Sequence, residues 1–499
     1  MAFFSSDLYD HKALIRYGFK VILMVAAFKV SGGLAAALAA FLAFGALIQR
    51  KPIGLMFWVL FLTVSSTGNP AVFGRTVISV LIVRVTLVLM TFLVAGKVFG
   101  SRSSRAMAPF WGILLYELWE CVSSLQGYEP IVSYLKLLLF FCIFLAMYGV
   151  ANEVNASSRV NARILRASIL AIVALMVFGS VALIPFPAIG QMNGEAAVEA
   201  MKSGNVVSLF CGMCSHSQAL GPMMGILGTF IFADLVFSIK KWDKFYIALL
   251  LSCLIICVKT SSRTGMGTLI AGLGMVTFLF MQSRGVGARW KNRVVSMMSL
   301  LAILGAVAIV AVPSMREKVM QFALKTKADK QSRNEVTVEN MFSSRQGKID
   351  ESMAGFKRKP LIGNGFQVAY EMQFEHRSGF LAYLAAPIEK GVWIYAILEE
   401  GGIIGFVLFT GWLLILFPML YKRHAYVMLA TFFAFMMANV GEFCLFAMTY
   451  VGGFYWTLTF AAGTLDVQRM KGQNIPVFFV PIEQVQREIG MDEWVRKRG

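Results

Sequence analysis

Long apolar segments recur along almost the whole chain, with mostly short polar connections between them. A helix needs about 20 predominantly apolar residues to cross a bilayer. The pattern therefore predicts an all-α polytopic membrane protein built as a bundle of about 14 transmembrane helices, or about 12–14 because the first two segments are short and closely coupled. The apolar segments fall at 14–30, 32–48, 52–68, 77–97, 107–125, 131–150, 166–185, 215–237, 244–259, 265–282, 295–313, 392–420, 425–445 and 449–466.

One polar connection, residues 314–391, is far longer than the others. A loop of this length is usually functional or disordered. We expect its second part, 342–387, to fold against the bundle. The predicted organisation is an N-terminal transmembrane bundle, a large and partly helical periplasmic loop, C-terminal transmembrane helices, and a cytoplasmic tail whose residues 481–498 form an interfacial amphipathic helix. These four parts cover residues 1–313, 314–391, 392–466 and 467–499.

Lysine and arginine are concentrated in alternate connections of the predicted bundle. Cytoplasmic loops of membrane proteins carry an excess of these residues. If the segments simply alternate, every strongly basic short connection lies on one side, which places both termini in the cytoplasm and the long loop outside. The strongly basic connections are 50–51, 97–105, 159–166, 240–244, 284–293 and 422–423.

The composition agrees with this pattern and excludes several classes of protein. The chain has 499 residues, of which 58% are hydrophobic and 15% are charged. Soluble domains are about half apolar and about a quarter charged. A soluble enzyme, a disordered protein and a secreted disulfide scaffold are therefore excluded. The net charge of +19 would suggest nucleic acid in a soluble protein, but here it mainly orients the helices, and we expect no nucleic-acid partner.

The segment Cys211–Gly–Met–Cys214, followed by His216, has the spacing of a redox or metal site. A single CxxC without a second pair is a weak signal. Small, buried cysteines at the start of a helix are the favoured interpretation, and we predict no metal ion and no cofactor. His216 is kept as a candidate for substrate binding, although a polar contact between helices is the simpler role.

Ionisable residues inside apolar segments mark functional sites by default, because burying a charge in a membrane is costly. Arg84 lies in the middle of one segment, and Glu117 and Glu120 lie one turn apart on the next. We expect an ion pair between Arg84 and one of these carboxylates. The alternative is that Arg84 contributes to substrate binding.

Basic residues at the predicted outer ends of two segments indicate a site for phosphate. Lys259 and Arg263 flank Thr–Ser–Ser and lie on the side that is otherwise sparsely basic. Arg263 would begin a helix, where free N–H groups, the helix dipole and a guanidinium together favour an anion. In the long loop, Arg345 and Lys359 add to a basic outer surface. The alternative is a surface that binds only phospholipid headgroups.

Three local motifs give the chain a resemblance to the O-antigen ligase and polymerase superfamily of bacterial envelope glycan enzymes. Ser262–Arg263 at a helix start resembles the Ser-Arg motif of that family. Arg345, followed by Pro–Leu–Ile–Gly–Asn–Gly at 360–365, resembles the start of the family's long periplasmic loop. The segment Glu–Gly–Gly–Ile–Ile–Gly at 400–405 resembles the Glu-x-Gly-x-x-Gly that begins the next span. Order and spacing agree across roughly residues 200–420.

The resemblance implies a metal-independent, inverting glycosyl transfer at the periplasmic face of the bacterial inner membrane. The donor would be an undecaprenyl-diphosphate-linked glycan and the acceptor a second glycan. Membrane lipids are further partners, and the protein works either alone or with a chain-length regulator. Arg263 and Arg345 would hold the diphosphate. Two guanidinium groups are able to neutralise the charge that develops on such a leaving group.

The chain departs from the family where the ligases carry a His-Asn pair that acts as general base. This sequence has Glu389 and Lys390 there. A carboxylate accepts a hydroxyl proton, so Glu389 is the candidate base, with Lys390 tuning it or binding substrate. An exposed Glu389–Lys390 ion pair is the alternative. His376 is a weaker candidate, and the tryptophan expected after Arg345 is missing.

We therefore predict a polymerase of lipid-linked repeat units of the O-antigen or exopolysaccharide type. One alternative is a ligase that transfers lipid-linked polymer to an acceptor. Another is a transporter of lipid-linked glycans. Transporters usually contain inverted repeats and helices broken near mid-membrane, and the sequence shows no sign of either.

Overall fold

The computed structural model describes residues 9–74, 76–100, 108–157, 160–191, 210–239, 242–260, 262–283, 288–311, 338–368, 390–448 and 451–470. The described chain is almost entirely helical and contains two isolated β-bridges but no strand. The long helices are α1 His11–Val30, α2 Gly32–Ile48, α3 Pro52–Thr67, α4 Val77–Gly100, α5 Ala108–Leu125, α6 Pro130–Ala156, α7 Ala162–Ala182, α8 Ser217–Asp234, α9 Lys244–Lys259, α10 Arg263–Gln282, α11 Ala288–Ala311, α12 Val338–Arg358, α13 Trp393–Lys422, α14 Tyr426–Ala438 and α15 Val451–Met470.

Each apolar segment predicted from the sequence overlaps one of these helices, although α14 ends at Ala438, well before the end of the predicted segment 425–445. Within the described ranges, 6 helices are long and apolar enough to cross a membrane by length and composition. Three shorter apolar helices, α2, α3 and α14, accompany them. The prediction of an all-α membrane protein is confirmed, whereas the number of crossings stays a prediction.

Helix α8 is the centre of the bundle and is buried along its whole length. It packs directly against α9, α10 and α14. Glycines allow α8 and α10 to approach backbone to backbone. A Cβ on Gly265 would lie 2.4 Å from the carbonyl carbon of Gly221, and a Cβ on Gly272 would lie 1.9 Å from Oγ1 of Thr229. Close contacts through small residues are the usual way in which membrane helices associate.

Several helix ends and turns meet at one end of the bundle, which we call the Arg263 end. The backbone N–H of Ser215 donates to the carbonyl of Thr67 over 3.1 Å, which joins the end of α3 to the start of α8. The N–H of Trp393 donates to the carbonyl of Asn439 over 3.1 Å, which joins the start of α13 to the end of α14. The start of α10 lies beside the same region of α14.

The opposite end, which we call the Arg423 end, is joined by a second set of contacts. The N–H of Met428 donates to the Asp466 carboxylate over 2.9 Å. Arg469 donates to the carbonyl of His424 over 2.6 Å and pairs with Asp466 at 3.0 Å. The indole of Trp290 donates to the carbonyl of Val236 over 3.2 Å. These contacts connect the ends of α8, α13 and α15 to the starts of α11 and α14.

A buried ion pair lies near the Arg423 end and connects three helices. The Arg166 side chain on α7 pairs with Asp234 on α8 at 2.9 Å. The phenol of Tyr246 on α9 donates to the same carboxylate over 2.6 Å. Asp234 is fully buried. The Arg166 guanidinium and the Tyr246 hydroxyl replace the water that would otherwise solvate its carboxylate.

The described part of the long connection packs on the bundle, as predicted. Helix α12 contacts α13, and the segment 359–368 makes hydrogen bonds to α13 and to α5. Residues 314–337 and 369–389 lie outside the described ranges. The same is true of 471–499, which include the predicted amphipathic helix at 481–498.

Candidate functional site

Helix α13 is broken within the Glu–Gly–Gly motif. Gly402 has φ 65° and ψ −164°, which is not a helical conformation. A Cβ at Gly402 would lie 2.4 Å from the carbonyl oxygen of Leu361, so glycine is required both by the backbone angle and by the contact. The expectation that this chain lacks broken helices is therefore wrong. The Gly401–Gly402 pair did not indicate a break, because two glycines in an apolar segment are also compatible with a continuous helix.

The Pro–Leu–Ile–Gly–Asn–Gly turn at 360–365 supplies the hydrogen bonds that the break removes. Backbone groups in lipid must find partners inside the protein. Here the turn pairs with the two sides of the break. The backbone N–H of Asn364 donates to the backbone carbonyl of Glu399 over 2.9 Å, and that of Gly365 donates to the backbone carbonyl of Glu400 over 3.0 Å. On the other side, the N–H of Ile403 donates to the carbonyl of Pro360 over 2.8 Å.

Side chains of α5 complete the same junction. The indole of Trp119 donates to the carbonyl of Gly401 over 2.7 Å. The hydroxyl of Ser123 donates to the carbonyl of Glu400 over 2.5 Å and accepts from the N–H of Gly365 over 3.0 Å. The break is thus held by the long loop and by α5 together.

Four buried carboxyl groups and one lysine lie at this junction, and we call them the carboxyl cluster. Glu399 and Glu400 belong to α13, and Glu117 and Glu120 belong to α5. Lys390 precedes α13, and its Nζ lies 3.1 Å from Glu399 and 3.1 Å from Glu400. The exposed fraction of these five residues is between 0% and 4%, so water does not solvate the charges.

Lys390 is held inside the protein by its two partners. Burial lowers the pKa of Lys390, but the charges of Glu399 and Glu400 outweigh burial and raise it above its ordinary value. Lys390 therefore stays an ammonium. The alternative of an exposed Glu389–Lys390 pair is wrong because Lys390 is buried. Glu389 itself lies outside the described residues.

The expected ion pair between Arg84 and a carboxylate of α5 is not what the structure shows. Within the described chain, neither Glu117 nor Glu120 forms an ion pair with Arg84. Glu120 lies against α13 instead: its Oε1 is 2.3 Å from the position of a Cβ on Gly401 and 3.4 Å from that of a Cβ on Gly405. Arg84 is half-buried on α4 and interacts elsewhere.

The Ser-Arg motif forms the start of α10, as predicted. The Ser262 hydroxyl accepts a hydrogen bond from the N–H of Gly265 over 3.0 Å and caps the helix. Arg263 is the first helical residue and is half-buried. Lys259 is exposed in the last turn of α9. Two basic side chains thus flank a capped helix N-terminus at the Arg263 end.

The Arg263 site and the carboxyl cluster are connected through the end of α14. A Cβ on Gly441 would lie 2.1 Å from Oγ1 of Thr264, so this turn touches the first turn of α10. Asn439, two residues earlier, accepts from the N–H of Trp393 over 3.1 Å. Trp393 follows Lys390 by three residues. Both sites therefore lie at the same end of the bundle.

The basic residues of the long loop contact the α5–α6 turn. Lys359 donates to the carbonyl of Gln126, and Arg358 donates to the Tyr128 hydroxyl over 3.0 Å. Arg345 lies on α12, but its side chain is outside the described part of the chain. The described part of the loop therefore places Lys359 at the Arg263 end, and its role in substrate binding stays a prediction.

His216 and the CxxC segment have local roles. The imidazole of His216 accepts from the N–H of Gln218 over 3.1 Å and caps α8. Cys211 and Cys214 are buried, and burial raises the pKa of Cys211 to about 11 and raises that of Cys214 further. Thiols with raised pKa values are poor nucleophiles and poor metal ligands. The interpretation as small buried residues fits this environment.

Two predicted site residues lie outside the described chain, and the carboxyl cluster was not predicted. His376, like Glu389, lies outside the described residues. The carboxyl cluster was missed, although Glu399 and Glu400 are adjacent acids inside an apolar segment. That signal alone marks them as exceptional, but it does not reveal that α5 supplies two more acids.

Comparison with known proteins provides no relative. The chain matches no protein-family model, no curated protein and no solved structure. The resemblance to the O-antigen ligase and polymerase superfamily therefore rests on the three motifs and on their order along the chain.

Proposed function

We propose that this protein is a polymerase of undecaprenyl-diphosphate-linked oligosaccharide repeat units in the bacterial inner membrane. It has about 14 crossings, both termini in the cytoplasm, and the Arg263 end facing the periplasm. The described residues of three strongly basic connections, among them Lys244, Arg293 and Lys422, belong to the Arg423 end. Such connections favour the cytoplasmic side.

The observation that carries the proposal is the capped N-terminus of α10 with Arg263 as its first residue. Ser262 satisfies one N–H group and leaves others of the first turn to an anion. Arg263 and the nearby Lys259 add positive charge. This arrangement binds the diphosphate of the donor and stabilises it as the leaving group without a metal ion. Arg345 and Lys359 contribute from the long loop.

The general base in this proposal is Glu389. Its neighbour Lys390 is fixed by ion pairs to Glu399 and Glu400. Glu389 is the residue that precedes this fixed lysine in the sequence. Its carboxylate takes the proton of the acceptor hydroxyl while the acceptor oxygen bonds to the anomeric carbon of the donor sugar and the bond from that carbon to the diphosphate breaks.

Broken helices are typical of transporters, and the break in α13 therefore favours the transporter alternative over a chain with continuous helices. In transporters, the freed backbone groups line a substrate or ion site. In this chain, the carbonyls of Glu399, Glu400 and Gly401 are already occupied by the loop and by α5. The break therefore anchors the long loop, which is a role that suits an enzyme with a large outer domain.

The first prediction tests Arg263 in cells that lack the chromosomal copy. Arg263→Ala is expected to reduce polymer formation about 10²–10³-fold, the usual cost of removing a group that stabilises the developing charge. Arg263→Lys is expected to retain part of the activity, because lysine keeps the positive charge but lacks the planar guanidinium that binds two phosphate oxygens at once. The measurement is glycan length on gels, with membrane levels of each variant compared by immunoblot.

The control is Arg293→Ala, which removes an exposed arginine on α11 near the Arg423 end and is expected to leave glycan length unchanged. Undiminished long-chain polymer in Arg263→Ala contradicts the assigned role. The deletion itself separates the alternatives: single repeat units indicate a polymerase, and polymer stranded on its lipid carrier indicates a ligase. Vectorial movement of the lipid-linked glycan by purified protein without bond formation indicates a transporter.

A further inference from the structure

The carboxyl cluster contains more acid than its lysine balances. Lys390 is shared between Glu399 and Glu400. Glu117 and Glu120 form no ion pair among the described residues, and the Tyr116 hydroxyl is the neighbouring group that is able to donate to Glu120. Carboxylates that lie close together in a medium of low dielectric do not all ionise, because neither water nor a cation compensates their repulsion.

The surroundings of Glu120 suit a neutral acid. Its carboxyl group lies on the bare backbone of Gly401 and Gly405 on α13, and the ammonium of Lys390 is engaged by Glu399 and Glu400 instead. The Tyr116 hydroxyl, which is fully buried one helical turn before Glu120, lies beside this carboxyl group and is able to donate to it. A single neutral donor does not compensate a buried charge, so the carboxyl is better accommodated as the neutral acid.

We propose that Glu117 and Glu120 bind protons, so that the carboxyl cluster is a buried proton-binding site between α5 and α13. In this state, Glu399 and Glu400 share the charge of Lys390, and the two acids of α5 are neutral. A protonated carboxyl gains a donor as well as an acceptor. It is therefore able to hydrogen-bond a neighbouring carboxylate that a second carboxylate would repel.

A metal ion is a poorer occupant than protons. Among the residues that the structure describes, no group of three or more His, Cys, Asp and Glu side chains is arranged to hold a metal ion. The ammonium of Lys390 already takes the place of a cation beside Glu399 and Glu400. A monovalent cation is left as an outcome of the test below.

The groups that face Glu117 and Glu120 come from both packed elements. From α5 they are the two acids, Tyr116 and the Cys121 thiol, and from α13 the group is Glu400. Lys390 faces Glu120 from the chain before α13. The inference is independent of the proposed function, because it depends on charge and packing and on no property of a glycan substrate.

Isotope-edited infrared spectroscopy of the purified protein tests the proposal. Labelling glutamate with ¹³C identifies glutamate bands, and the spectrum of Glu120→Gln is subtracted from that of the unchanged protein at neutral pH. We expect the difference to contain the C=O stretch of one carboxylic acid, and Glu117→Gln is expected to do the same. The matched control is Glu351→Gln on α12, an exposed residue whose difference spectrum is expected to show a carboxylate.

The amide of glutamine resembles a neutral carboxyl in size and charge, so both variants are expected to fold with melting temperatures close to that of the unchanged protein. Carboxylate bands in both difference spectra overturn the proposal. A melting temperature that rises steeply with Na⁺ or K⁺ overturns it in favour of a bound cation. If a variant does not fold, the labelled unchanged protein still decides, because the absence of any glutamic acid C=O band at neutral pH overturns the proposal.

Discussion

At the scale of single residues, buried charge is handled in two ways within one bundle. Asp234 is compensated by Arg166 and by the Tyr246 hydroxyl. Glu117 and Glu120 have no arginine or lysine within ion-pair distance in the described chain. A buried carboxylate needs a cation beside it, whereas a buried carboxyl without one is stable as the acid. These two arrangements make opposite predictions for substitution.

Arg166→Met is expected to destabilise the folded protein by about 3–5 kcal/mol, because Asp234 is then left as a buried charge without its cation. The double variant Arg166→Met, Asp234→Asn is expected to recover most of that loss. It removes the stranded charge, and the amide oxygen still accepts from Tyr246. The measurement is the free energy of unfolding in detergent micelles, followed by tryptophan fluorescence.

Arg163→Met is the matched control because Arg163 lies one turn earlier on α7 and is exposed, and its substitution is expected to leave the free energy of unfolding nearly unchanged. A double variant that is less stable than Arg166→Met would contradict the argument. It would show that Asp234 is neutral in the folded protein and that its carboxyl has another role.

At the scale of elements, α13 is two helices joined by Gly402. The 360–365 turn pairs with the backbone on both sides of the break and replaces the lost helical bonds with its own. Gly363, with φ 87°, is the counterpart of Gly402 on that turn, since a Cβ there would lie 2.0 Å from the carbonyl oxygen of Glu400. The two glycines allow the two backbones to touch.

Gly402→Ala is expected to destabilise the protein by about 2–6 kcal/mol, the sum of backbone strain at positive φ and of overpacking against Leu361. Gly411→Ala in the same helix is the control. A Cβ there meets nothing within 4 Å, so the substitution is expected to be neutral or slightly stabilising because alanine favours a helix. Thermal unfolding of both purified variants checks this, and equal stability would mean that Gly402 is helical.

The hydrophobic pattern predicted the helices well, because each apolar segment is long and bounded by polar residues. The break at Gly402 was not predictable in the same way. Gly–Gly inside an apolar run is compatible with a continuous helix, and the conformation is imposed by Leu361 about forty residues earlier in the chain. The same limit applies to the carboxyl cluster, since Glu120 meets Glu400 only through the packing of α5 on α13.

At the scale of the whole molecule, the connections between helices separate into two ends that differ in charge. The Arg263 end contains the turn at Gln126, the start of α10 and the 359–365 turn. The Arg423 end contains the basic residues between α13 and α14. A bundle whose two ends differ in this way has one favoured orientation in a membrane, with the more basic end in the cytoplasm.

This orientation predicts which residues a membrane-impermeant maleimide reaches in intact cells. Lys357→Cys, near the end of α12, is expected to be labelled from outside, whereas Lys422→Cys, at the end of α13, is expected to react only after the inner membrane is permeabilised. Both side chains are exposed, so access and not burial decides the result. The unchanged protein gives the background, which is expected to be low because its cysteines are buried except for the half-buried Cys121. Labelling of Lys422→Cys in intact cells would reverse the orientation and would place Arg263 on the cytoplasmic side, away from a periplasmic lipid-linked donor.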